Sequence, residues 1–246
     1  MILQRAGFSF YLYDLLRDLR SLDALCVPAF PPIRTNPNPC ASVDIVAATP
    51  TRKQALTDLR RREILAAAIK AFGKRGFADT SVDDIAAAAK IAKGTLYLYF
   101  RSKEDIYSTA LRQAIHELHA LIAERLATAH GLRQKLSVIV SARLEFWMDQ
   151  KNLYRLIITV GREQKHRRQT HETLRAGHDS FVAIFEEAVT SGEIKAQPFD
   201  ALAWAILDMI RGCNERRLDN LNPNTAQQDA AYITSIALQR LGVTEL

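Results

Sequence analysis

The stretch "SVDDIAAAAKIAKGTLYLYFRSKEDIY", residues 81–107, carries two apolar repeats that are each too short for an ordinary helix. Ser81, or Thr80 before it, can accept a bond from a helix's first amides, and Asp83 and Asp84 suit the positive end of that helix. Val82, Ile85, Ala86 and Ala89 then share one face for about two turns. Lys90-Ile91-Ala92 interrupts the pattern. A second short helix is expected over residues 93–100, with Leu96 and Phe100 four apart on one side. Arg101-Ser102-Lys103 breaks the pattern again, and Ser102 can cap a long helix that starts at Lys103. Two short helices joined this way make a helix-turn-helix over residues 81–100. The alanines at 86–89 and Gly94 let the pair approach closely.

With Leu96 and Phe100 turned inward, Lys93, Thr95, Tyr97 and Tyr99 are left for the outer flank or its rim. Such a flank suits a phosphate-lined groove. Lys93 can donate to guanine acceptors, Gly94 lets the backbone come near, and Thr95 offers a hydroxyl and a methyl to base edges. Tyr97 and Tyr99 can carry hydroxyls to phosphates, while Ser81 and Lys103 sit at helix starts that favour an anion. The competing reading packs one tyrosine partly into the core, makes Thr80 only a cap and leaves Lys103 to solubility.

Charge points the same way. Of 33 Lys/Arg and 27 Asp/Glu, residues 51–104 hold twelve and six, so the whole excess of +6 lies there and the remainder balances. A basic segment beside a neutral body fits a polyanion, or else a solvated charged face. Arg60, Arg61 and Arg62 add non-specific attraction or ordinary solvated charge.

Upstream, Ile64, Leu65, Ala68, Ile69 and Phe72 line one face of a first helix that Gly73 and Gly76 end. Downstream, residues 132–150, 153–160, 172–191, 199–218 and 226–241 read as further helices, with no convincing strand. The chain is all-α. Six of its eight prolines fall within residues 28–50, so residues 1–50 read as an irregular proline-rich extension. The expected organisation is that extension, a three-helix helix-turn-helix domain over 51–118, and a larger helical domain over 119–246.

Other classes find little support. No apolar run reaches the roughly 18 residues of a membrane span, and Arg5, Asp14, Arg17 and Asp18 break up the faintly signal-like N-terminus. Cys26, Cys40 and Cys213 are an odd set without a CxxC, which favours a reducing cytoplasm. No nucleophile–base constellation or glycine-rich phosphate loop marks an enzyme. His116 and His119 have metal-like spacing but lack a third ligand, so neither a metal nor a cofactor is expected.

The segment "ILAAAIKAFGKRGFADTSVDDIAAAAKIAKGTLYLYFRSKEDIY" closely resembles the N-terminal DNA-binding domain of TetR/AcrR-type transcriptional regulators. The likeness lies in "AFGKRGF", "TSVDDIAAAA" and above all "KGTLYLYFRSKEDI", and extends over residues 58–118. It implies base contacts at Lys93, Gly94 and Thr95 and phosphate contacts at Ser81, Tyr97, Tyr99 and Lys103. It further implies a cytoplasmic homodimer on a palindromic operator in double-stranded DNA, released by a small-molecule inducer of unknown identity. A repressor is the leading expectation. An activator, a ligand-independent regulator and a sequence-indifferent nucleoid protein are the alternatives. The first fifty residues depart from the family's short N-terminal arm.

Resemblance and pattern together put the dimer seam on the last two long helices, at Ala205, Met209, Ile210, Tyr232 and Ile236, unless those stripes are simply core. An inducer pocket is expected among the downstream helices, lined by Phe146, Trp147, Tyr154, Phe181, Phe185 and Trp204, although aromatics at helical spacing also build cores. The basic run over residues 161–171 reads as a solvated loop or an attractor of an acidic effector. The helix from Lys103 links reading head and effector domain, so its tilt is the expected switch.

Overall fold

The computed structural model describes residues 51–161 and 167–243. The proline-rich extension, Cys26, Cys40 and residues 162–166 of the basic run lie outside the described residues. Within them the chain forms nine α-helices and no strand. None of these helices is long and apolar enough to cross a membrane.

Helix α1 (Arg52–Arg75) starts with a reciprocal cap between Thr51 and Gln54, and its second half buries Ile64, Leu65, Ala68 and Phe72. It stops at Gly76, whose φ of 84° favours glycine. Helix α2 (Val82–Ala88) is capped by Ser81, with Asp84 answering back to the Ser81 amide. Thr80 is no cap: it is buried, and its hydroxyl donates to the Gly76 carbonyl at 2.6 Å. After α2 the chain turns through Lys90 in the left-handed region, φ 56°. The Ile91 amide reaches back to the Ala86 carbonyl and the Lys90 amide to that of Ala87, a Schellman closure with lysine where glycine is usual.

Helix α3 (Lys93–Tyr97) is shorter than the expected 93–100. Residues 98–100 continue as tight turns, the amides of Tyr99 and Phe100 both bonding the Leu96 carbonyl. Ser102 then caps α4 (Lys103–Leu126), accepting from the Asp105 amide. The head closes over Ile64, Phe72, Ile85, Leu96, Phe100 and Ile106, each nearly or fully shielded from water. Each such side chain contributes about 1.5–3 kcal/mol by burial. Phe72, Phe77 and Tyr107 extend this core, with centroid spacings of 5.1 and 5.8 Å.

Because α4 runs unbroken from residue 103 to residue 126, the expected boundary after 118 falls inside one helix. The rest is α5 (Gly131–Asp149), α6 (Lys151–Val160), α7 (Arg167–Thr190), α8 (Asp200–Leu218) and α9 (Ala226–Arg240). Helix α5 is the hub, packing on α4, α6, α7, α8 and α9, and α6 also packs on α1. Helix α7 starts five residues before the expected 172, inside the basic run. Between α8 and α9, buried Asp229 accepts from Asn222, Asn224 and Arg217. Burial opposes its ionisation, but those bonds win and hold its pKa below the usual carboxylate value.

Candidate nucleic-acid interface and effector cavity

Helix α3 is split cleanly between two environments. Leu96 has no exposed surface, whereas Lys93 and Gly94 are exposed, Tyr97 is 48% exposed and Leu98 is 82% exposed. Thr95 and Tyr99 are half-buried at the rim, and Tyr99 packs against the core. A side chain at Gly94 would meet nothing of the protein within 4 Å, so the fold itself does not require glycine there. Leu98 escaped the sequence reading because apolar residues are ordinarily assigned inward. Its position between two tyrosines, two residues after Leu96, was the available signal.

The polar groups on this face are engaged in unequal ways. Lys93 donates to Asp83 at 2.8 Å, and that hydrogen bond raises the lysine pKa. The pair is exposed and exchangeable. Ser81 donates its hydroxyl proton to Asp84 at 2.7 Å and accepts from the Asp84 amide, so its hydroxyl serves the cap. Bonds from the Ser81 hydroxyl and amide, with Arg75 nearby, hold the Asp84 pKa below its usual value. Lys103 departs furthest from expectation. Its ammonium donates to the carbonyls of Phe77, Ala78 and Thr80 at 2.9, 3.0 and 3.3 Å and sits 4.8 Å from the Phe77 ring centroid. All three N–H groups therefore close the α1–α2 loop, leaving none for a phosphate.

Arg61, read as part of a charge run, is also structural. It donates to the Tyr99 carbonyl at 3.0 Å, and its guanidinium lies over the Phe100 ring at 4.7 Å, fixing the end of α3 to α1. Arg60 pairs with Glu63 in solvent.

A cavity of about 170 Å³ opens between α4, α5, α6, α7 and α8. Of the six expected aromatics, Trp147 and Tyr154 line it; Phe146, Phe181, Phe185 and Trp204 do not. Phe181 and Phe185 are wholly buried core, Phe146 packs edge-on against Trp147, and Trp204 stacks on His178 at 4.7 Å. Burial, with Glu215 nearby, pushes the Tyr154 phenol well above its ordinary pKa and keeps it neutral. The unexpected lining residue is Arg143, whose isolation in the apolar run "SVIVSARLEFW" was the signal in the sequence. Beside it, burial first and then Arg143 and His116 lower the His119 pKa to about 4. No group of three His, Cys, Asp or Glu among the described residues is arranged to hold a metal.

Of the seam residues, Tyr232 is 67% exposed, Ala205 is exposed, and Met209 and Ile236 are half-buried. Ile210 is different. It is buried and lines the cavity, because its side of α8 faces the bundle.

A short helix presented by two others, with an exposed polar flank on a basic head, defines a helix-turn-helix DNA-binding protein. Residues 64–110 match the family described as bacterial regulatory proteins, tetR family. Residues 64–110 therefore carry a DNA-binding domain of that family, and the relatives that the chain resembles are regulators of transcription. It is 26% identical over 136 residues to the fatty acid metabolism regulator protein of Bacillus subtilis (strain 168), covering 54% of this chain and 70% of that one. It is 37% identical over 86 residues to the HTH-type transcriptional repressor KstR2 of Rhodococcus jostii (strain RHA1), covering 35% of this chain and 42% of that one. The fold is similar to that of the transcriptional regulator FadR from Bacillus subtilis in complex with stearoyl-CoA. That match has a TM-score of 0.64 at 21% identity and covers 75% of this chain and 99% of that chain.

Proposed function

We propose that the protein is a ligand-responsive repressor that binds a palindromic operator as a homodimer in the cytoplasm. The observation that carries this reading is the split of α3, with Leu96 wholly buried and Lys93, Gly94, Tyr97 and Leu98 presented to solvent. Lys93 leaves Asp83 for a guanine, Gly94 lets the backbone approach, and Thr95 meets a base edge from the rim. Tyr97 reaches a phosphate, and Leu98 supplies apolar contact to a thymine methyl or a sugar. Tyr99 reaches a phosphate only with its outer edge. Ser81 and Lys103 act chiefly by shaping the head, through the cap and the loop closure described above. The head is built on α1, α2, α3 and the start of α4, and the helices from the middle of α4 to α9 hold the effector and the dimer seam.

Ala205, Met209, Tyr232 and Ile236 form the outer face of α8 and α9 and pair with the same face of a second copy. Repression is supported by the likeness to a named repressor. Switching is supported by the cavity wall: α4 contributes Leu111 and Ile115 to it, and α6 contributes Tyr154 and Ile157. Helix α6 also packs on α1, where Asn152 lies so close to Gly73 that a Cβ there would stand 3.0 Å from its Oδ1. A ligand that spreads α4 and α6 therefore moves the head through two helices, and it shifts the equilibrium only by its differential affinity for the two forms.

Lys93→Ala is expected to cost about 1–3 kcal/mol and to relax preference at one base pair, read by competition between operator variants. Unchanged preference in that assay would remove Lys93 from base reading.

A further inference from the structure

Arg143 lies on α5 in the cavity wall with only 7% of its surface exposed. Its one hydrogen bond among the described residues runs from Nη2 to the Ser180 hydroxyl oxygen at 3.2 Å, and Ser180 passes its own proton to the Gly177 carbonyl. The guanidinium also lies 5.7 Å from the Phe181 ring centroid. Its Nε is buried without a partner among the described residues. Burial lowers the pKa to about 10, and among the described residues no carboxylate counters that pull. A cation taken out of water without an anion is costly, and such groups are ordinarily paired.

The fold makes room for this arrangement. A Cβ at Gly177, in the interior of α7, would stand 3.2 Å from Nη1 and 3.5 Å from Nη2. Glycine weakens a helix interior, and here its lack of a side chain admits the guanidinium. Much of the remaining wall is apolar, including Trp147, Leu207 and Ile210. Among the described residues the only carboxylate in the lining, Glu215, lies 3.8 Å from Arg211. The cavity thus combines apolar walls with one uncompensated, fork-shaped donor suited to a carboxylate. Its volume of about 170 Å³ lies below the roughly 300–1,000 Å³ of pockets for drug-sized ligands, which favours a compact molecule over a long thioester.

We propose that Arg143 is the anion receptor of this cavity and that the effector is a compact apolar carboxylate. The proposal rests on reading the cavity as the effector site. The test is calorimetric titration of the full chain with hexanoate and benzoate against 1-hexanol, benzyl alcohol, hexylamine and hexanoyl-CoA. The acids should bind about tenfold or more tighter than the alcohols, the amine and the thioester. Arg143→Gln should erase that preference. Arg143→Lys, which keeps the charge and loses the fork, should retain part of it and serves if the glutamine variant does not melt cooperatively.

The proposal is overturned if neither acid binds, if a neutral, cationic or thioester probe binds as tightly as its acid, or if both variants bind the acids unchanged. Gel shifts on the same samples separate the two layers. Acids that bind through Arg143 but leave DNA affinity unaltered uphold the receptor and contradict the ligand-responsive reading. A neutral probe that releases DNA where the acids do not has the opposite meaning.

Discussion

Lys103 shows how one side chain can meet expectation in place and differ in task. It starts α4 as its sequence context requires, yet its ammonium is spent on the carbonyls of Phe77, Ala78 and Thr80. Lys103→Ala is therefore expected to lower stability by about 1–3 kcal/mol, measured by chemical denaturation. It should leave the salt dependence of DNA binding nearly unchanged. A phosphate contact would instead lower that slope by about one and spare the stability. The carbonyl clamp was illegible because its acceptors lie 23 to 26 residues away, in a loop without periodicity. The partition of α3 was legible, since Leu96 and Phe100 alone determine which side of so short a helix faces inward. Leu98 shows the limit of that rule: apolarity says a side chain is welcome in a core, not that a core is there.

The elements that announced themselves did so through caps. Ser81, Ser102 and Gly76 mark ends that the structure places where their chemistry requires. Helix α7 begins five residues before its apolar pattern does, because residues 167–171 carry charge and no apolar stripe. Its first turn carries the ion pair from Arg168 to Glu172 at 2.8 Å, and Thr170 packs so near Gly161 that a Cβ there would meet its hydroxyl at 2.8 Å. The turn between α2 and α3 carries a cost that substitution can recover. Lys90 holds φ 56°, a conformation disfavoured for a residue with a Cβ. Lys90→Gly is expected to stabilise the protein by about 0.5–1 kcal/mol, read as a higher denaturant midpoint at unchanged slope. A lower midpoint would mean that the Lys90 side chain contributes more than its backbone strain costs.

In the whole molecule, the proposed function gives the bundle two surfaces that the sequence blends into one apolar pattern. Phe181 and Phe185 were legible as apolar but not as core, because depth in a bundle depends on which helices cover α7. Ile210 shifted from seam to cavity wall for the same reason. Tyr232 is the most exposed residue of the proposed seam, and if two copies meet there a charge should not survive contact with its symmetry mate. Tyr232→Glu is expected to shift the protein to monomer in sedimentation velocity while its helical content stays unchanged. An unaltered sedimentation coefficient would place the dimer seam elsewhere.

Selection of bound fragments from random duplex DNA addresses the paired reading heads most directly. A dimer that reads through two copies of α3 should enrich an inverted repeat with half-site centres about 10 base pairs apart or a multiple of that spacing. Recovery of unrelated sequences, or of a single unrepeated half-site, would contradict a symmetric pair of recognition helices in successive major grooves.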